Sequence, residues 1–129
     1  MQYVNSFRDL EVYKLAREVS KEIYLQTKGF PPEEKYSMTD QMRRSSRSVG
    51  AQIAEAWGKR RYEMHFIVKL TDADAEQLET QHWLEESLEC RYLDDTIARQ
   101  LIQKCEAIGK MLQKMINKSS SFCKPSIHP

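Results

Sequence analysis

Glu79 and His82 stand three residues apart, the Glu-x-x-His spacing with which helical bundles hold di-iron centres. Such a centre takes two of these pairs and two further glutamates from other helices. This chain offers one pair, with Glu55 and Glu106 as scattered extras, so the pattern is incomplete as a metal site. Packing of His82 and Trp83 at a helix or subunit interface is the better reading, because amphipathic aromatic side chains are common there. His65 and His128 have no nucleophile near them in sequence, no Ser or Cys sits at a recognisable elbow, and no Gly-rich phosphate loop follows a strand. The expectation is a protein without catalysis, cofactor or metal. Cys90, Cys105 and Cys123 are odd in number and lack metal-ligand spacing. The first two read as small buried hydrophobes and the third as an exposed thiol in the tail.

The other chemistry is charge. Between Gln41 and Arg61, six basic residues (Arg43, Arg44, Arg47, Lys59, Arg60 and Arg61) oppose one acid, Glu55. On a helix, Arg43 and Arg47 share a face that Gly50 and Ala54 continue, an open surface where a phosphate backbone or an acidic helix could lie close. Arg44, Ser48, Ala51 and Glu55 form the adjoining row. There Arg44 and Glu55 are three turns apart, so each needs a partner on another helix or chain. Lys59, Arg60 and Arg61 fall at a helix C-terminus, which cations favour with no external ligand. Three readings therefore stand together: pairing within or between subunits, nucleic acid, or a solvated face. Tyr62 to Arg91 holds eight acids and two bases, which favours pairing. Nucleic acid would be bound electrostatically with little base reading, because aromatic residues suited to stacking are not interleaved with the block and Trp57 is the nearby candidate.

Four helices must position these groups. The chain of 129 residues with net charge +1 fits one domain, and only four Gly and four Pro favour helix over strand. Val12, Ala16, Val19 and Ile23 mark a first helix over about Asp9–Lys28, which the FPPEE loop ends, with Gly29 at its C′ position. A second runs from Ser37 or Met38 to Gly58, with Ser37 as its N-cap. A third covers Tyr62–Glu89 and a fourth Asp94 or Asp95 to Lys118, capped by aspartate. Methionines 38, 42, 111 and 115 fall at core spacing. Connections of a few residues require neighbours to lie antiparallel, giving an up-down-up-down four-helix bundle over 1–118 and a flexible tail over 119–129. No segment has the roughly 20 apolar residues of a membrane span, and no secretory signal opens the chain, so a cytoplasmic protein is expected. Apolar and aromatic residues beyond one core stripe predict self-association, with Tyr13, Glu55, Trp57, His82 and Trp83 as interface candidates.

Three stretches carry a family resemblance: FRDLEVYKLAREV from Phe7, FPPEEKYSMTDQMRRSSRSVGAQIAEAWGKR from Phe30 and LETQHWLEESLECRYL from Leu78. Together they resemble the bacterial four-helix bundle proteins that include those encoded by intervening sequences inside large-subunit ribosomal RNA genes. Accessory proteins of diversity-generating retroelement reverse transcriptases belong to the same wider group. The resemblance implies a ring-shaped homopentamer without established enzymatic activity and, in the retroelement branch, partners that are RNA or DNA and a reverse transcriptase. Three positions depart from the family pattern: Gln52 where Asn is usual, Ala56 where Gly is usual, and Arg91 where Gly is common. The first two bear on helix spacing and on polar contacts around Glu55. The third asks Arg91 for a backbone conformation that suits glycine.

Overall fold

A computed structural model describes residues 4–124. Its long helices are α1 (Glu11–Thr27), α2 (Met38–Gly58), α3 (Glu63–Glu89) and α4 (Asp95–Asn117). A single turn, α5 (Ser119–Phe122), follows, and 3-10 turns occupy Phe7–Asp9 and Pro32–Glu34. The described residues contain no strand. Each long helix packs on its neighbours in sequence, and α1 closes against α4, leaving α1 and α3, like α2 and α4, on diagonals. This is the antiparallel four-helix bundle that the short connections require.

The core is built by the periodic stripes. Ile23, Met42, Ile53, Phe66, Leu70, Leu84, Leu101, Ile108 and Leu112 are almost wholly withdrawn from solvent, each worth about 1.5–3 kcal/mol of transfer free energy. α2 and α3 share the most extensive seam, and small or polar residues let them approach. The Ser45 and Thr80 hydroxyls meet at 2.9 Å, and the Ser87 hydroxyl donates to the Trp83 carbonyl with the Met38 and Met42 sulphurs at 3.2 and 3.1 Å. Between α3 and α4, buried Gln77 donates to Asp74 at 2.8 Å and accepts from Gln81 at 2.7 Å. A Cβ on Gly109 would stand 2.8 Å from the Gln77 amide, so the glycine makes room for this polar layer.

The helix ends refine the sequence reading. Asp94 caps α4 by accepting from the Thr96 and Ile97 amides. Ser37, expected to cap α2, makes no side-chain cap bond. Glu34 does that work instead, one carboxylate oxygen accepting the Met38 amide at 3.4 Å and the other the Tyr92 hydroxyl at 3.0 Å. One acid thereby ties the first loop to the α3–α4 turn. Gly29 follows the α1 C-cap without a positive φ, whereas Arg91 has φ 62°. The Arg91 amide bonds to the Leu88 carbonyl and the Tyr92 amide to the Ser87 carbonyl, the Schellman closure of α3.

The tail expected to be flexible from Ser119 onward begins instead as a packed turn. Ser119 is buried and its hydroxyl donates to the Glu63 carboxylate, while the Phe122 ring stacks on Phe66 at 5.8 Å. One apolar side chain in a serine-rich run finds a seat over the start of α3. No helical stripe announces that kind of anchoring. Residues 125–129, and His128 with them, lie outside the described residues. Cys90 also departs from expectation: it is exposed at the end of α3, whereas Cys105 is buried and its thiol is pushed up to about 12 by burial.

Candidate functional site

The basic block divides three ways, because consecutive rows of α2 face different neighbours. Arg43 and Arg47 lean toward α1. The Arg43 Nε donates to the buried Thr27 hydroxyl at 2.8 Å, and its guanidinium lies 4.7 Å above the Tyr24 ring. Arg47 reaches the same ring at 5.5 Å and Lys28 at 4.8 Å, so three cations surround one tyrosine. An open groove of ≈ 770 Å³ runs on from there between α1 and α2, floored by Gly50, Ala51 and Ala54 and walled by Tyr13 and Arg17. Its acid, Glu18, is drawn away to Lys104 of α4 at 3.2 Å. Aromatic residues do flank the arginines, therefore, but they come from α1. The sequence signal was a second stripe on that helix, Lys14, Arg17, Lys21, Tyr24 and Lys28, at alternating spacings of three and four.

Arg44 projects to the other side of α2, exposed and in electrostatic range of Glu76 on α3. Partial burial, then Glu79, raises the Glu76 carboxyl above its usual range, against the lowering pull of Arg44. Glu55 finds its partner on α3, where the Lys69 ammonium stands 3.5 Å away and also donates to Gln52 at 3.4 Å. Within the chain, the basic block and the acids of α3 do not form the expected ion pairs among the described residues. Among the described residues the six block cations make no ion pair, and neither do the eight acids of α3. The pair that does form across α2 and α3 carries the opposite polarity, because Lys69 lies on the α2 side of α3 and most α3 acids lie farther round.

Lys59, Arg60 and Arg61 occupy the opposite end of the bundle from Arg43. The Arg60 guanidinium stacks 3.5 Å from the Trp57 ring centre and its Nε donates to the Trp57 carbonyl at 2.8 Å. The Arg60 carbonyl in turn accepts the Lys124 amide at 3.2 Å, bringing the end of the described chain onto the α2–α3 turn. Lys118 follows α4 at the same end, next to Ser119 and its bond to Glu63. Five cations gather here with exposed Tyr62 and the Tyr62–His65 ring pair, whose centres are 5.3 Å apart. The C-termini of α2 and α4 both point this way, which favours positive charge.

The interface candidates do not form one surface. Tyr13 belongs to the α1–α2 groove, packed edge-on against Phe7 at 4.9 Å and accepting from Arg17 at 3.1 Å. Glu55 faces α3, and Trp57 underlies Arg60. His82 is exposed edge-on to half-buried Trp83, whose indole donates to Glu79 at 3.0 Å. That bond engages the glutamate of the Glu-x-x-His pair, and among the described residues no three of His, Cys, Asp and Glu gather as a metal site would require. The sequence reading named His82 but missed the stripe to which it belongs on the outward face of α3: Met64, Val68, Thr71, Ala75, Leu78 and His82, all exposed, repeat at spacings of four and three opposite the core stripe. α3 thus carries two stripes, and the outer one lies closer to Met64 and Leu78 than to Trp83.

No helix among the described residues is long and apolar enough to cross a membrane. A comparison with curated proteins finds no match. Among solved structures, a protein of unknown function from the S23 ribosomal protein family of Bacteroides thetaiotaomicron superimposes with a TM-score of 0.74 at 30% identity, over 82% of this chain and 95% of that one. The family described as 23S rRNA-intervening sequence protein matches residues 8–114, a span that contains all four long helices but the last residues of α4. On both grounds the chain belongs to the 23S rRNA-intervening sequence protein family.

Proposed function

We propose that this protein is a non-enzymatic, self-assembling helical scaffold that binds nucleic acid electrostatically at the α2–α3 turn. The observation that carries this reading is the gathering of Lys59, Arg60, Arg61, Lys118 and Lys124 at one end of the bundle, with no ion-paired carboxylate among the described residues and beside exposed Tyr62. Cations so placed displace counterions along a phosphate backbone, while a tyrosine face stacks on a base without choosing among sequences. In a ring-shaped homopentamer, the assembly that the family resemblance implies, the cluster would be repeated around one rim and would gain by multivalency. A nucleic-acid enzyme such as a reverse transcriptase would then meet its template on that rim.

The test is fluorescence anisotropy of a short structured RNA at low and high salt, with light-scattering mass recorded on the same samples. Binding should weaken steeply with salt and be lost when Lys59, Arg60 and Arg61 become Ala, with the mass unchanged. Binding that survives the triple substitution, or that ignores salt, would rule this surface out.

A further inference from the structure

We infer that the α1–α2 groove is the seat for the outward face of α3 from a second copy of this chain, docked head to tail with the two bundles side by side. The inference rests on the self-assembly reading above and names its two surfaces. Three observations point to them. First, the outer stripe of α3 leaves Met64, Val68 and Leu78 at 67%, 51% and 55% exposure, on a helix whose other face is already committed to the core. Second, the groove has a floor without bulk, Gly50, Ala51 and Ala54, into which such a helix could settle between the side chains of α1 and α2. Third, each surface carries charge without an ion-pair partner among the described residues, and the signs are opposite.

The match runs end for end. The bond between Ser45 and Thr80, and that between Lys69 and Gln52, fix the height of α3 against α2. Likewise the Arg43–Thr27 bond and the approach of Tyr13 to Gly50 fix α1 against α2. Toward the α2–α3 turn, Met64 and Val68 lie level with Tyr13 and Ala54, apolar against apolar. At the other end, Glu79, Glu85, Glu86 and Glu89 lie level with Lys21, Lys28, Arg43 and Arg47, acid against base. Parallel side-by-side bundles therefore satisfy both halves at once, whereas an inverted copy would set the acids against Tyr13 and the small residues. Because donor face and receiving face differ, the contact is heterologous, the kind that builds a ring when the rotation between copies closes. Desolvated opposite charges fix register and orientation more than they add affinity, and the apolar half supplies the burial.

Two variants test this, both at exposed or surface positions that spare the core. In the first, Val68 and Leu78 become Lys; in the second, Arg47 and Ala51 become Glu. Light scattering should find each variant at the 15.2 kDa of one chain, with unchanged helical circular dichroism, while the native protein is larger. Each variant keeps one face intact, so mixing them should give a 1:1 complex of twice that mass and no further growth. A variant that keeps the native mass, or a mixture that stays monomeric, overturns the assignment of these faces. A native protein that is itself monomeric overturns the self-assembly reading beneath it. RNA that protects Arg43 and Arg47 from arginine-specific modification in a chain whose assembly neither variant disturbs would give the groove to nucleic acid instead.

Discussion

The two basic clusters on α2 come from one run of sequence, yet they differ in what holds them. Arg43 is half-buried, and part of its hydrogen-bonding capacity is spent on Thr27 and on the Tyr24 carbonyl. At the other end, Lys59 and Arg61 are exposed, and Arg60 is held by Trp57 and its carbonyl alone. An arginine locked by its own chain offers a shaped surface to a partner of fixed geometry, such as a folded helix. Loosely held cations adapt to a polyanion whose phosphates are evenly spaced and whose shape varies. The contrast suggests a division of labour, with assembly on the side of the bundle and nucleic acid at its end.

The largest expected effect breaks or confirms that division directly. Replacing Lys59, Arg60 and Arg61 with Ala should abolish RNA binding, whose log–log salt slope in the native protein counts about one unit for each phosphate neutralised. Arg43→Ala with Arg47→Ala should leave that slope unchanged while altering light-scattering mass; equal effects of the two variants on RNA would erase the distinction. A smaller effect is expected from Phe122→Ala, which removes the stack on Phe66 and frees the segment that brings Lys124 to Arg60. Chemical denaturation should register a loss of about 1–2 kcal/mol for this half-buried ring, with weaker RNA binding alongside. A loss of stability without any loss of binding would remove Lys124 from the end cluster.

Thr27→Val probes the locked side. Its hydroxyl accepts from Arg43 and donates to the Ile23 carbonyl at 2.7 Å, so the isosteric change should cost about 1–2 kcal/mol in urea midpoint measurements. An unchanged midpoint would mean that Arg43 is as loosely held as Lys59, and the comparison would lose its physical basis. Arg91→Gly should act in the opposite direction, stabilising by about 1 kcal/mol because glycine adopts a φ of 62° without strain. Since Arg91 touches neither cluster, RNA affinity and mass should both stay as they are, which makes it the control for stability alone.

Most of the fold was legible along the chain. The four long helices begin and end within about two residues of the positions that apolar periodicity, prolines and aspartate caps predict, because each signal acts on its own helix. The separation of Arg43 and Arg47 from Arg44 was legible too, since it follows from 100° per residue. Other features depended on partners distant in sequence. Glu34 rather than Ser37 serves α2 because the same carboxylate is wanted by Tyr92, 58 residues away. Ser119–Phe122 forms a turn because Phe66 offers a seat. The aromatic flank of the arginines was invisible along α2 because Tyr24 is contributed by α1.

The sequence by itself determined the helical content, the antiparallel order, the position of Arg91 where glycine is common, and the opposed charges of α2 and α3, all consequences of residue type and short-range spacing. Only the tertiary structure decided which of those charges meet. Lys69 reaches Glu55, Arg44 comes only within electrostatic range of Glu76 without an ion pair, and the cations of α1 and α2 converge on Tyr24. Coulomb attraction acts over a few ångströms through water and does not select a helix's rotation. Burial of the apolar stripes sets that rotation, and the charges are then left where the packing puts them.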